Sequence, residues 1–199
     1  MGDVVVSEWM TLDGVVQAPA YPDEDVTGGF AHGGWHMPYM DEAAMKWTLE
    51  NVSSAGGFLL GRRTYEMFAA HWPNAGEDEQ PFAEPLNTKP KYVASRSLRE
   101  PLEWQNSSLL GDDAVAAVRA LKQEDMGDLL VLGSTELVRA LLQAGLVDRL
   151  RLTIDPVLAG GGKRVFADDG ALRPLRLVDS EITSTGAVLA TFVPASGER

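Results

Sequence analysis

The stretch that most constrains this chain is Phe58-Leu59-Leu60-Gly61-Arg62-Arg63-Thr64. Three consecutive apolar residues suit a strand buried on both faces rather than one that alternates between core and water. Gly61 ends the run and permits a tight turn or a close backbone approach. Thr64 is placed to cap a helix whose apolar side holds Tyr65 and Phe68. Strand, glycine, two arginines and a helix start make a phosphate-binding arrangement, since orphan N–H groups and guanidinium forks both attract anions. The same residues also describe an ordinary strand-to-helix connection with solvated arginines.

A second such unit lies at Asp128–Gly133, where Leu129–Leu132 form an apolar run and Ser134 or Thr135 caps the next helix. Between them, Lys91–Ala94 reads as a short strand leading to Ser95-Arg96-Ser97, and Asp112 or Asp113 caps a helix carrying Val115, Val118 and Leu121. Val4–Val6 opens the chain as a β-branched strand that exits through Thr11-Leu12-Asp13-Gly14, and a helix starts at Asp41 or Glu42. Alternating strands and helices predict a largely parallel sheet. The tail differs. Arg149–Val157, Leu175–Ser184 and Ala187–Val193 read as strands without intervening helices, the last two joined by a Thr185-Gly186 turn, which predicts an antiparallel edge. Residues 17–38 and 72–90 read as two long loops, and Leu102–Gln105 as a further strand. The first loop carries Tyr21, Phe30 and Trp35, which suits a segment packed over a site, over core or over a subunit partner. No repeat or linker divides the chain, so one domain over residues 1–199 is expected.

Composition removes several function classes. A net charge of −12 disfavours broad nucleic-acid binding. The absence of cysteine excludes disulfides, thiolate metal sites and cysteine nucleophiles, and fits a reducing cytoplasm. No apolar stretch nears the roughly 20 residues that span a bilayer, so a cytoplasmic protein without membrane contact is expected. Gly160-Gly161-Gly162-Lys163 lacks the flanking glycine and hydroxyl of a P-loop, and no Gly-x-Ser-x-Gly elbow or dinucleotide fingerprint is present. His32 and His36 flank Gly33-Gly34, which opposes the helical spacing a metal pair needs, so no metal is expected.

Leu60-Gly61-Arg62-Arg63-Thr64-Tyr65-Glu66 resembles the Gly-Arg-x-Thr-x-Glu segment of dihydrofolate reductases. Thr11-Leu12-Asp13-Gly14, Leu132-Gly133-Ser134, Gly145-Leu146-Val147-Asp148 and Asp155–Gly160 through Val165-Phe166 resemble, in order, the reductase domain at the C-terminal end of RibD, the bifunctional riboflavin-biosynthesis protein. The resemblance implies a dihydrofolate-reductase-like three-layer α/β fold with helices on both faces of the sheet, in a homodimer. It further implies an NADPH-dependent reductase related to the 5-amino-6-(5-phosphoribosylamino)uracil reductase. Hydride would pass to an unidentified heterocycle or small carbonyl or imine; the alternative is a non-catalytic ligand-binding protein on the same fold. By position, Gly61, Arg62, Arg63 and Thr64 would meet the cofactor phosphates, Ser95, Arg96 and Ser97 the adenosine 2′-phosphate, and Gly133, Ser134 and Thr135 the pyrophosphate. Asp13 and Asp41 are the acid candidates. Asp13 can equally be a turn residue bonding backbone, Asp41 a helix cap, and Lys163 and Arg164 either substrate-phosphate ligands or loop charges.

Overall fold

A computed structural model describes residues 2–195. Its elements are β1 (Val4–Thr11), α1 (Glu42–Ser54), β2 (Gly57–Gly61), α2 (Arg62–His71), α3 (Gln80–Thr88), β3 (Lys91–Ala94), β4 (Ser107–Leu109), α4 (Ala114–Leu121), β5 (Leu129–Val131), α5 (Thr135–Gln143), β6 (Arg149–Asp155), β7 (Leu175–Ile182) and β8 (Val188–Pro194). The strand order is β4-β3-β2-β5-β1-β6-β8-β7. Strands β1 and β5, β5 and β2, β2 and β3, and β3 and β4 pair in parallel. At the other end β6 with β8 and β7 with β8 are antiparallel. This is the expected mostly parallel α/β sheet with an antiparallel edge hairpin.

The residues group into two compact units, Met1–Val6 with Thr48–Val147, and Ser7–Trp47 with Asp148 onward. In the first, all of β2 and β5 is buried, as continuous apolar runs require. Phe58, Leu60, Val93 and Leu130 pack with Tyr65 and Trp104 to form its core. The second unit has smaller clusters. Val15, Ala18, Phe30 and Trp35 form one, and Ala44, Trp47 and Leu189 another.

Loop 17–38 is ordered by one buried side chain. Gln17 Nε2 donates to the carbonyls of Asp25 and Thr27, both at 2.9 Å, and its Oε1 accepts from Lys163 N at 3.0 Å. Its backbone carbonyl takes the Trp35 indole N–H at 2.8 Å. Other expected punctuation is present: Asp113 Oδ1 caps α4 through Ala116 N at 2.9 Å, and Gly145, at φ +64°, turns the chain out of α5.

Three expectations need correction. Helix α2 begins at Arg62 with extended Gly61 as its cap residue, so Thr64 lies inside the first turn and caps nothing. Residues 72–90 hold α3 rather than one long loop. Pro81 falls in its first turn, where no intrahelical N–H is required, and the helix tolerates Pro85 further in. Residues 102–105 form no strand; β3 pairs instead with Ser107–Leu109. Trp104 is buried, with its backbone N–H on Tyr65 Oη at 3.1 Å and its indole on Asn87 Oδ1 at 2.7 Å, so side chains take the bonds a ladder would use.

Candidate functional site

Because β3, β2 and β5 are adjacent and parallel, the loops after them emerge side by side at one sheet edge, about 4.8 Å apart per strand. The first unit therefore brings together Gly61–Thr64, Ser95–Ser97 and Gly133–Thr135. Gly61 pairs with Ala94 on one side, and its N–H donates to the Gly133 carbonyl at 3.1 Å on the other. A Cβ on Gly61 would lie 2.2 Å from Ser134 Oγ, so no other residue fits there without displacing the 133–134 turn.

Helices α2 and α5 start directly at this edge. Neither cap residue, Gly61 or Ser134, makes a side-chain hydrogen bond to the helix. The first-turn N–H groups, which have no intrahelical acceptor, are thus uncapped by side chains, and the helix dipoles favour negative charge beside them. Arg62 Nη1 contacts Glu66 Oε2 at 2.8 Å one turn on, with the two side chains 40% and 44% exposed. A pair this exposed is worth about 0–1 kcal/mol, so a phosphate can replace the carboxylate at little cost. Ser95 Oγ accepts from Ser97 N and Leu98 N at 3.2 and 3.0 Å, which folds the loop back and leaves Arg96 exposed. Two uncapped helix starts, a close-packed glycine and flanking cations suit a polyanion such as a dinucleotide pyrophosphate.

The second unit treats its acids differently. Asp13 accepts from Thr11 Oγ1 at 2.6 Å, Ala159 N at 3.1 Å and Gly160 N at 3.0 Å, with Arg164 Nη2 at 3.4 Å. The Thr11 hydroxyl, with the backbone N–H groups and Arg164, holds its carboxyl down at about 2. Asp41 caps α1 through Ala44 N at 3.0 Å and binds Ser184 Oγ and N at 2.5 and 2.8 Å, so Ser184 above all holds it at about 2 as well. Neither carboxylate retains a proton at neutral pH. Both tie loops. Lys163 is ion-paired with Asp25, and Arg164 Nε donates to the Asp13 carbonyl at 2.9 Å.

Residues 3–189 match the model of the RibD C-terminal domain. The chain belongs to that family. It is 30% identical over 140 residues to the uncharacterized protein YyaP of Bacillus subtilis (strain 168), covering 67% of this chain and 71% of the relative. Among solved structures, a protein from Shewanella sp. PV-4 described as a riboflavin biosynthesis protein superposes with a TM-score of 0.69 at 18% identity, covering 98% of this chain and all of that one. Dihydrofolate reductase from Enterococcus faecalis, complexed with NADP(H), superposes at 0.62 with 14% identity and 98% coverage of both chains. The fold is dihydrofolate-reductase-like. Among the described residues no helix is long and apolar enough to cross a membrane.

In this RibD-type domain, sequence reasoning passed over two groups of residues. Glu8 stands in β1 with Oε1 sealed from solvent and without a hydrogen-bond partner. Burial alone pushes its carboxyl up to about 8, well above the ordinary carboxylate range. The available signal was a carboxylate inside the strand that Val4–Val6 opens. The second group is a buried pair: His36 Nδ1 meets Asp155 Oδ2 at 2.7 Å, both side chains fully buried, and the imidazole stacks on Trp9 at 4.2 Å. Burial raises the Asp155 pKa against the pull of His36. In the sequence His36 stands out only as a neighbour of His32, which instead sits edge-on to Phe30.

Proposed function

We propose that this RibD-type domain is an NADPH-dependent reductase acting on an unidentified heterocycle or small carbonyl or imine. The observation that carries this reading is the paired, uncapped starts of α2 and α5, joined through the Gly61–Gly133 hydrogen bond and flanked by Arg62, Arg63 and Arg96. Gly61–Thr64 and Gly133–Thr135 would hold the pyrophosphate by backbone N–H groups. Arg96, with Ser95 and Ser97, would bind the 2′-phosphate, whose charge earns bonds that a 2′-hydroxyl cannot. When bound, the cofactor supplies the hydride. Reduction of an imine or carbonyl also needs a proton, and the carboxylates of Asp13 and Asp41 are hydrogen-bonded and ionised, so either would act by its charge rather than as a resting acid. The protein is expected to work in the cytoplasm, as a homodimer.

The locked state of Asp13 and Asp41 also favours a second reading, a ligand-binding protein without turnover. One experiment separates the two. Purified protein is incubated with NADPH and a panel of pterins, pyrimidines and small imines, and loss of the reduced nicotinamide absorbance is followed. Turnover of any member of the panel supports the reductase; tight NADPH binding without turnover across the panel supports the second reading.

A further inference from the structure

Of the three histidines, His32 and His71 are exposed and His36 is fully buried. His36 reaches inward from loop 17–38, and the two residues after it, Met37 and Pro38, are exposed. A single side chain thus dips from the surface into the second unit. There the imidazole has the Trp9 ring against its face, with centroids 4.2 Å apart and planes 23° from parallel, and the fully buried carboxylate of Asp155 at its edge.

The fit is incomplete. Nδ1 meets Asp155 Oδ2 at 2.7 Å, but His36 Nε2 and Asp155 Oδ1 are sealed from solvent and have no hydrogen-bond partner among the described residues. A half-satisfied buried pair stabilises a fold poorly, because each open atom keeps its desolvation cost. A carboxylate with one oxygen taken and one open, beside an indole face, has instead the form of a recognition site. A flat ring with two adjacent N–H donors would fill both oxygens as a fork and keep the stacking. Imidazole presents only one N–H to that edge. The hold on His36 is also local. The Gln17 clamp reaches no further than the Trp35 indole, and beyond it the His36 backbone N–H donates to the Pro19 carbonyl at 3.0 Å.

We propose that Trp9 and Asp155 form a slot for a planar cyclic guanidine or amidine, and that His36 is its built-in occupant, which such a ligand displaces. The ligand class follows from the slot. The indole face calls for a flat ring, the two carboxylate oxygens for two adjacent N–H donors, and the buried carboxylate for a delocalised positive charge. In the resting protein the chain itself closes the slot, so the affinity for a ligand is lowered by the fraction of molecules in which His36 is seated. His36 is therefore an autoinhibitory side chain. The inference goes beyond the reductase reading and does not depend on it, since Trp9, His36 and Asp155 all lie in the second unit and none is assigned to the cofactor.

The test is calorimetric titration with 2-aminoimidazole, which is the His36 ring with one added amino group, in the absence of any nicotinamide. The wild-type chain should bind it, and His36→Ala should bind it about tenfold more tightly or better, because the slot is already open. Adding Asp155→Asn to His36→Ala should cost about tenfold or more, as should replacing the probe by imidazole, which offers one donor fewer. A second measurement needs only the wild-type chain, should a variant fail to fold: exchange of the histidine C2 proton for deuterium, read by mass spectrometry and slow at a buried ring. Saturating 2-aminoimidazole should speed exchange at His36 severalfold and leave His71 unchanged. A wild-type chain that does not bind the probe overturns the inference. So does exchange at His36 that is unchanged or slower with the probe bound, a His36→Ala chain that binds no more tightly than wild type, or affinity indifferent to Asp155→Asn.

Discussion

At the strand ends of the first unit, α2 and α5 begin without a side-chain cap, yet nearby helix C-termini are closed by cations. Lys89 Nζ donates to Ser53 O and Ala55 O at 2.6 and 2.7 Å at the end of α1, and Lys91 Nζ to Leu86 O at 2.8 Å and Lys89 O at 3.0 Å at the end of α3. Loops of the second unit are tied by acceptors instead: Asp13 on Ala159 and Gly160, Asp41 on Ser184, Gln17 on Lys163. Saturated carboxylates make a scaffold, because their free energy lies in bonds already formed. Uncapped N–H groups are what the proposed site uses, because an anion from outside suits them. Glu8 is the exception in the second unit: a carboxylate with neither a partner nor full access to water.

The contrast breaks most sharply at Glu8. A folded pKa above the ordinary 4.5 means that Glu8's contribution is complete below pH 4.5 and lost as pH rises toward 8. Glu8→Gln should therefore melt higher than wild type at pH 9, read by calorimetry.

Next in size are the cations of the first unit. Arg62→Ala and Arg96→Ala should each weaken NADPH binding about tenfold or more, the loss expected for one charge-assisted bond, with melting temperature nearly unchanged. Lys91→Met should cost about 1–3 kcal/mol in denaturant unfolding, because carbonyls at the end of α3 lose their donor. Burial lowers the Lys91 pKa to about 8 from 10.5, so wild-type stability should gain a rising component between those values, which the variant lacks. Smallest is Asp13→Asn. It should loosen the 159–160 turn by about 1 kcal/mol, and the wild-type advantage should vanish as pH falls through about 2.

Strands β2 and β5 of the first unit were legible in the sequence, because they are contiguous apolar runs closed by Gly61 and Gly133, and the residues proposed for the pyrophosphate follow those glycines directly. Helix α3 was hidden by its prolines, which signal a loop on composition but are tolerated at Pro81 and Pro85. In the second unit what matters is long-range. Asp155 meets His36 from 119 residues away, and Asp13 reaches Gly160 across 147. No local pattern carries such pairings. Asp13 and Asp41 stood out as acids in turns, but whether an acid keeps its proton depends on burial and on donors contributed by distant loops.

Calorimetric titration with NADPH and, in parallel, NADH tests the central claim most directly, because the two cofactors differ only in the phosphate assigned to Ser95–Ser97. The account predicts NADPH binding at least tenfold tighter than NADH, with that preference lost in Arg96→Ala. Equal affinity for both, or no binding of either, would contradict it.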